Sequence, residues 1–306
     1  ARLRYWQQQF AEFKPDVVVG DYAPSLTMAA RGRVASVALG SGYSLPPPEA
    51  DVSTPFREPF GIGPLETEEV ILAKLNAILV ASGTRPLARL PQMNEATGYA
   101  LRTIAIFDPY WEIRTQDYLG VEQPSGSPRP VPQVDNTVLA YFSVGVSNPA
   151  IIAGMKLSGL PVKLFVGKDR AEAAEQARGS RIEIVDSPFD LPRDLPGHGL
   201  TMGQGSLGFV AASLFAGLPQ VALYKHDEGW SIAKALHKAQ IGLSAFEQDA
   251  TADQVAEMML KAANRVEMRN YALALSDRYA EFRDNPSLPK LVNIVRQAAG
   301  RGPSAA

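Results

Sequence analysis

A chain of 306 residues, 46% hydrophobic and 20% charged, has the balance of a globular protein and is long enough for two domains with separate cores. A formal net charge of −2 with no long Lys/Arg run gives no electrostatic reason to expect nucleic acid, and the absence of cysteine removes disulfides, thiolate catalysis and Cys-based metal sites. No stretch reaches ~18 consecutive apolar residues and ARLRYWQQQF lacks a signal-like apolar core, so the expectation is a cytoplasmic protein with no transmembrane segment.

Leu3, Trp6, Phe10 and Phe13 recur at helical spacing and Lys14-Pro15 closes the pattern. A strand at 17–20 follows, ended by Asp21, then a helix at 23–30 and a strand at 34–39. An Asp at a strand end is more often a cap or turn former than a functional group, so on the residue alone Asp21 reads as structural. A doubly wound domain usually opens on a strand, whereas this sequence opens on a helix; the first domain is expected to be incomplete. Residues 40–64 form a long irregular segment with Pro46-Pro47-Pro48, read as a binding loop or an ordered surface loop. A helix at 66–81 carries Val70, Leu72, Leu75 and Leu79 on its apolar side. A strand is expected at 102–107, with Tyr110 and Trp111 in the turn after it, read as core or rim packing rather than an acceptor platform.

Four prolines, a glycine and two serines fall within 123–135, QPSGSPRPVPQVD, which fits an extended linker. The domains are therefore set at 1–122, 136–285, and a C-terminal helix and tail at 286–306. The second domain reads as strand 138–143, helix 148–157, strand 162–166, helix 170–177, strand 182–185 and a loop to 196. After it come helix 231–238, a helix opened by the Thr251/Gln254 capping pattern, helices at 267–283 and 289–298, and a frayed end, GRGPSAA.

The most informative stretch is GLTMGQGSLGFVAASLFAGLPQVALYKHDEG, from Gly199 to Gly229. A short apolar run enters a turn of Gly203, Gln204, Gly205 and Ser206, where glycine permits positive φ and close approach of a ligand. Leu207, Val210, Ala211 and Leu214 fall at i, i+3, i+4 and i+7, and Gly217-Leu218-Pro219 stops the helix. A buried strand at 220–224 and a loop at 225–229 complete a strand, turn, helix, strand unit. In an open parallel sheet such loops gather at the carboxyl edge, and a helix start there suits a phosphate. His226, Asp227 and Glu228 offer a nitrogen and two carboxylates, but adjacent residues rarely converge on one ion, so no metal is expected.

This stretch resembles the donor-binding motif of nucleotide-sugar glycosyltransferases of the GT-B type, bacterial macrolide and flavonoid transferases among them. The resemblance rests on Thr201-Met202-Gly203-Gln204-Gly205-Ser206, on Ala216-Gly217-Leu218-Pro219 and on Glu228-Gly229. It implies an α/β fold of two Rossmann-like domains with parallel sheets. It implies donor contacts from Ser143, Gly145, Phe189, His198, Thr201, Gly203, Gln204, Gly205, Ser206, Asp227 and Glu228. Thr201 stands where the family usually has His and Gly229 where it has Gln; His198, three residues upstream, is the one nearby substitute. The run DYAPSLTMAARGRVASVALGSGYSLPPPE resembles the family's acceptor-side segment, in which the Asp matched by Asp21 orients a catalytic His; no His exists in the first half. Family members place on the order of a hundred residues before the match to Pro-Asp-Val-Val-Val-Gly-Asp, and their last helix crosses back to the first domain.

The activity so implied is transfer of a hexosyl-like sugar from a nucleoside diphosphate sugar, such as a UDP-sugar, to a hydroxyl of a small-molecule or lipid acceptor. Neither a metal nor a separate cofactor is expected. The alternatives are a non-catalytic binding or partner subunit, and a nucleotide-sugar epimerase or hydrolase.

Overall fold

A computed structural model describes residues 2–51, 66–121, 123, 126–285 and 287–301. Residues 52–64 of the long irregular segment and the tail from 302 lie outside them. The chain divides into two compact units, Ala1–Gly120 with Pro286–Ala306, and Val121–Asn285.

In the first unit, helix α1 (Arg2–Phe13), strand β1 (Val17–Asp21), helix α2 (Pro24–Ala30), strand β2 (Ala35–Gly40), helix α3 (Glu68–Ala81) and strand β3 (Gly98–Leu101) follow in order. The strands are parallel in the order β1-β2-β3. Successive side chains of a strand part to opposite faces. Val18 accordingly joins Leu3, Phe10, Leu26 and Leu79, while Val17 joins Val37, Ala100 and, from the C-terminal helix (Ser287–Arg301), Leu291, Ile294 and Ala298. A Cβ on Gly98 would stand 3.1 Å from Ile294 Cγ2, so this helix rests directly on β3.

Two expectations need correction here. The strand sought at 102–107 lies earlier, at Gly98–Leu101, and a 3-10 turn occupies Ala105–Phe107. The ladder stops because β2 ends at Gly40: its carbonyl takes the last bond, from Arg102 N. On α3, Leu72, Leu75 and Leu79 pack inward but Val70 is largely exposed. Tyr110 is buried under the Arg114 guanidinium, whereas Trp111 is exposed.

In the second unit, strand β4 (Val138–Phe142), helix α4 (Ala150–Ser158), strand β5 (Val162–Val166), helix α5 (Arg170–Ala177) and strand β6 (Ile182–Ile184) form the first half. A short helix α6 (Leu191–Asp194) leads to strand β7 (Leu200–Gly203), helix α7 (Leu207–Phe215), strand β8 (Gln220–Tyr224), helix α8 (Asp227–Lys238) and strand β9 (Gly242–Phe246). Helices α9 (Ala252–Asn264), α10 (Val266–Arg278) and α11 (Ala280–Asp284) close the unit. All six strands are parallel in the order β6-β5-β4-β7-β8-β9, the doubly wound arrangement in which direction of winding reverses between β4 and β7. Phe142, Ile151, Met155, Leu164, Leu223 and Val255 fill its larger core.

Strand β9 is absent from the sequence reading: GLSAF alternates too weakly in hydropathy to stand out. The loop expected at 225–229 is cut short, because His226 Nδ1 accepts from Gly229 N and caps α8 from Asp227 onward. The single helix sought at 267–283 breaks at Tyr279. The Thr251 cap forms as read, its hydroxyl accepting from Gln254 N at 3.2 Å.

One buried ion pair organises the loops of the first unit. The Asp108 carboxylate takes two bonds from Arg114, Nε to Oδ2 at 2.7 Å and NH2 to Oδ1 at 3.1 Å, and one from the Tyr118 hydroxyl at 2.9 Å. Arg114 also donates to the carbonyls of Leu45 (2.9 Å) and Gly42 (3.3 Å), fastening the loop after β2. Both side chains are almost fully buried, so deleting one strands the other charge, at about 3–5 kcal/mol. Asp108→Ala is expected to lower the stability of the first unit by that amount in urea unfolding, and Asp108→Asn by less, since the amide oxygen still accepts.

Candidate functional site

The carboxyl ends of β4 and β7, neighbours at the winding reversal, carry the two loops of interest. After β4 the chain runs through Ser143 and Val144, both exposed, to Gly145 at φ +89° and on to Asn148. After β7 it makes the glycine turn, with Gly205 at φ +71°, and enters α7.

Glycine at 203 is required by packing rather than by φ. A Cβ there would meet the Tyr141 carbonyl at 2.9 Å and the Phe209 ring at 3.1 Å, so its absence lets α7 start close over β4. Phe209 stacks on Tyr141 (5.4 Å between centroids), and Tyr141 on Phe165 (5.3 Å), which fixes the direction in which α7 leaves the sheet.

The start of α7 is open. Ser206, its N-cap, makes no side-chain capping bond, and Ser206 and Gly208 are exposed. None of the amides from Gly205 to Gly208 donates to an acceptor among the described residues. Four N–H groups at the positive end of a helix dipole, in a row at a sheet's carboxyl edge, are suited to an oxyanion such as a phosphate.

The remaining residues implied by the resemblance are divided. Gln204 does belong to the site, its Nε2 donating to the Gly145 carbonyl at 3.0 Å and so joining the two loops. Phe189, beyond β6, is half-buried and tilted against Tyr141 at 6.3 Å, at the rim of the aromatic stack. Asp227 and Glu228 form the first turn of α8, whose Gly229 abuts the glycine turn: a Cβ on Gly205 would lie 3.4 Å from the Gly229 carbonyl. Asp21 ends β1 in the other unit, exposed, with no partner for its carboxylate among the described residues.

Two assignments are corrected. Thr201 lies inside β7, 1% exposed, and its hydroxyl donates to the Pro219 carbonyl at 3.3 Å, so its one proton is committed within the sheet and its burial keeps it from a ligand. His198 precedes β7, at the amino edge of the sheet, separated from the glycine turn by a strand of about 10 Å. No rearrangement of one loop bridges a strand.

A set of residues absent from the sequence reading lies just behind the two loops. Glu247, at the end of β9 and 1% exposed, receives Lys225 Nζ and the Ser147 amide on Oε1, each at 2.9 Å, and Gln204 Nε2 on Oε2 at 3.3 Å. Lys225 Nζ also donates to Ser147 Oγ at 2.7 Å, and Asn148 Nδ2 to the Glu247 carbonyl at 2.9 Å. Beside this group lies a cavity of about 430 Å³ lined by Ser147, Asn148, Lys225, Phe246 and Glu247.

No protein-family model and no curated relative matches the sequence. Solved structures do match. The calicheamicin glycosyltransferase CalG4 superposes with a TM-score of 0.70 at 15% identity, over 98% of this chain and 77% of that one. The glycosyltransferase VinC in complex with DTDP gives 0.67 at 14%, over 98% and 76%, and the glycotransferase of kitacinnamycin 0.67 at 15%, over 96% and 79%.

The fold is GT-B. In this GT-B chain the second unit supplies the complete six-stranded doubly wound sheet with the open helix start, and the first a three-stranded parallel sheet. Between 21% and 24% of each of these neighbours has no counterpart in the chain, the complement of the 79% and 76% matched. Among the described residues no helix is long and apolar enough to cross a membrane, and no three His, Asp or Glu side chains gather as for a metal ion.

His198 provides a check on its reassignment. Burial, the largest cause, lowers its pKa from the ordinary value of 6.5, and Nδ1 is buried without a partner. A group whose folded pKa is depressed adds stability above its unfolded pKa, which is lost as pH falls through the folded value. Urea midpoints are therefore expected to fall on acidification below about pH 6.5. In His198→Asn that slope should flatten while affinity for nucleoside diphosphates stays unchanged; weakened affinity would return His198 to the site.

Proposed function

We propose that the protein is a glycosyltransferase that takes a sugar from a nucleoside diphosphate sugar and gives it to an acceptor hydroxyl. One observation carries this: the row of amides Gly205–Gly208 opening α7, without acceptors among the described residues, at the winding reversal of a GT-B chain. As the anomeric bond breaks, negative charge grows on the diphosphate, and preorganised N–H donors with the dipole of α7 stabilise it, with no metal assigned a part. Ser206 adds a hydroxyl at the same place. In this reading Ser143 and Gly145 of the β4 loop are assigned to the donor phosphates and Phe189 to the base. Asp227 and Glu228 are the carboxylates assigned to the sugar hydroxyls. Asp21 is the acceptor-side carboxylate of this reading, there to orient or replace the base that removes the acceptor proton. The acceptor is a small molecule or a lipid. VinC is a neighbour named with a bound DTDP, which makes thymidine and uridine diphosphates the first ligands to try. The neighbours are named as transferases, which lends nothing to the partner-subunit or epimerase readings.

Calorimetry with UDP, TDP and GDP tests the donor site. At least one is expected to bind, and Gly208→Glu to weaken it roughly tenfold or more, by setting a carboxylate among the amides. The Cβ at 208 meets open space, and a Glu in the first turn both complements the dipole and replaces a poor helix former, each worth about 0.5–1 kcal/mol. The variant should hence melt no lower than the parent, and unchanged affinity would remove this helix start from the site. With a labelled nucleotide sugar, Asp21→Asn is expected to slow transfer at least tenfold with donor affinity intact.

A further inference from the structure

We propose that Glu247 is the positioning residue that holds both phosphate-facing loops of the second unit in register; this rests on the reading of the α7 start as a diphosphate site. Its carboxylate is bonded at once to the loop after β4, through the Ser147 amide, to the glycine turn after β7, through Gln204, and to the end of β8, through Lys225. Gln204 closes the circle by donating to the Gly145 carbonyl.

The chemistry of the circle explains why a buried acid stands there. Ser147 N, Gln204 Nε2 and Lys225 Nζ are all donors, and converging donors need a shared acceptor of high capacity. Lys225 brings one positive charge and Glu247 one negative, so the cluster is neutral and does not compete with a phosphate for the free amides of Gly205–Gly208. The loops it ties carry Ser143 and Gly145 on one side and Gly205 and Ser206 on the other. Fixing their separation in advance is what lets two sets of donors meet one diphosphate without a further ordering cost. A surface acid would be worth little here; Glu247 is 1% exposed, and a buried carboxylate bonds more strongly than one in open solvent.

The test compares the parent with Glu247→Gln, Glu247→Ala and Gln204→Leu, titrating each folded protein with the nucleoside, its monophosphate and its diphosphate. Glu247→Ala is expected to lose roughly tenfold or more in diphosphate affinity, Glu247→Gln less because the amide oxygen still accepts, and Gln204→Leu an intermediate amount. Affinity for the nucleoside is expected to stay constant throughout. A residue that merely stabilises the sheet would lower the melting temperature and leave the ratio of diphosphate to nucleoside affinity untouched, which overturns the proposal. So does tighter diphosphate binding by Glu247→Gln, since Glu247 would then be holding Lys225 away from the ligand rather than placing the loops. If Glu247→Ala does not fold, Gln204→Leu decides alone: the link is cut at a half-buried side chain, and an unchanged ratio refutes the positioning role. A parent that binds no nucleoside diphosphate overturns the donor-site reading itself, and this inference with it. Normal binding by the parent with indifferent variants overturns this inference alone.

Discussion

The chain passes unusually close to itself at the carboxyl ends of β4, β5 and β7, and the second unit depends on glycines that make this possible. A Cβ on Gly167 would run into the Ser143 carbonyl, and one on Gly203 would stand 2.9 Å from the Tyr141 carbonyl. Neither clash can be relieved by turning a flexible side chain, because backbone lies on the other side. With the glycines in place, the loops after adjacent strands reach the same edge, α7 starts against β4, and its first amides are left with no acceptor among the described residues. An opening suited to an anion is thus a by-product of close packing.

Behind that edge the solution is electrostatic rather than steric. Glu247 and Lys225, just past the ends of β9 and β8, pair with each other and take polar groups from the loops after β4 and β7. The first unit uses the same device in another place, where Asp108 and Arg114 fasten the loop after β2 through backbone carbonyls. In both, an ion pair whose desolvation is costly persists because further hydrogen bonds from other groups reach the carboxylate.

The histidines show how a sequence match can mislead. His198 is near the glycine turn in sequence and lies at the opposite edge of the sheet, because four residues of extended chain intervene. Thr201 aligns with a ligand-binding position and yet spends its hydroxyl on Pro219 inside the sheet. Counting residues along a motif assigns a site only when each counted residue falls beyond the strand end, as Gln204 through Ser206 do.

Periodicity, caps and glycine-proline stops made most helices and strands legible in the sequence, along with the α/β class and the glycine turn, since these are set by neighbours within a few residues. The Thr251 cap, the helix from Leu207 and the strands at 138, 162 and 220 are of this kind. Tertiary structure alone decided the rest. Strand β9 carries too faint a pattern and is held by its pairing with β8. The Glu247 cluster joins Ser147 and Glu247 across 100 residues, and no local pattern marks either one. Which edge of the sheet a residue reaches, and which polar groups meet there, follow from the order β6-β5-β4-β7-β8-β9, a property of strand pairing that no single stretch of sequence contains.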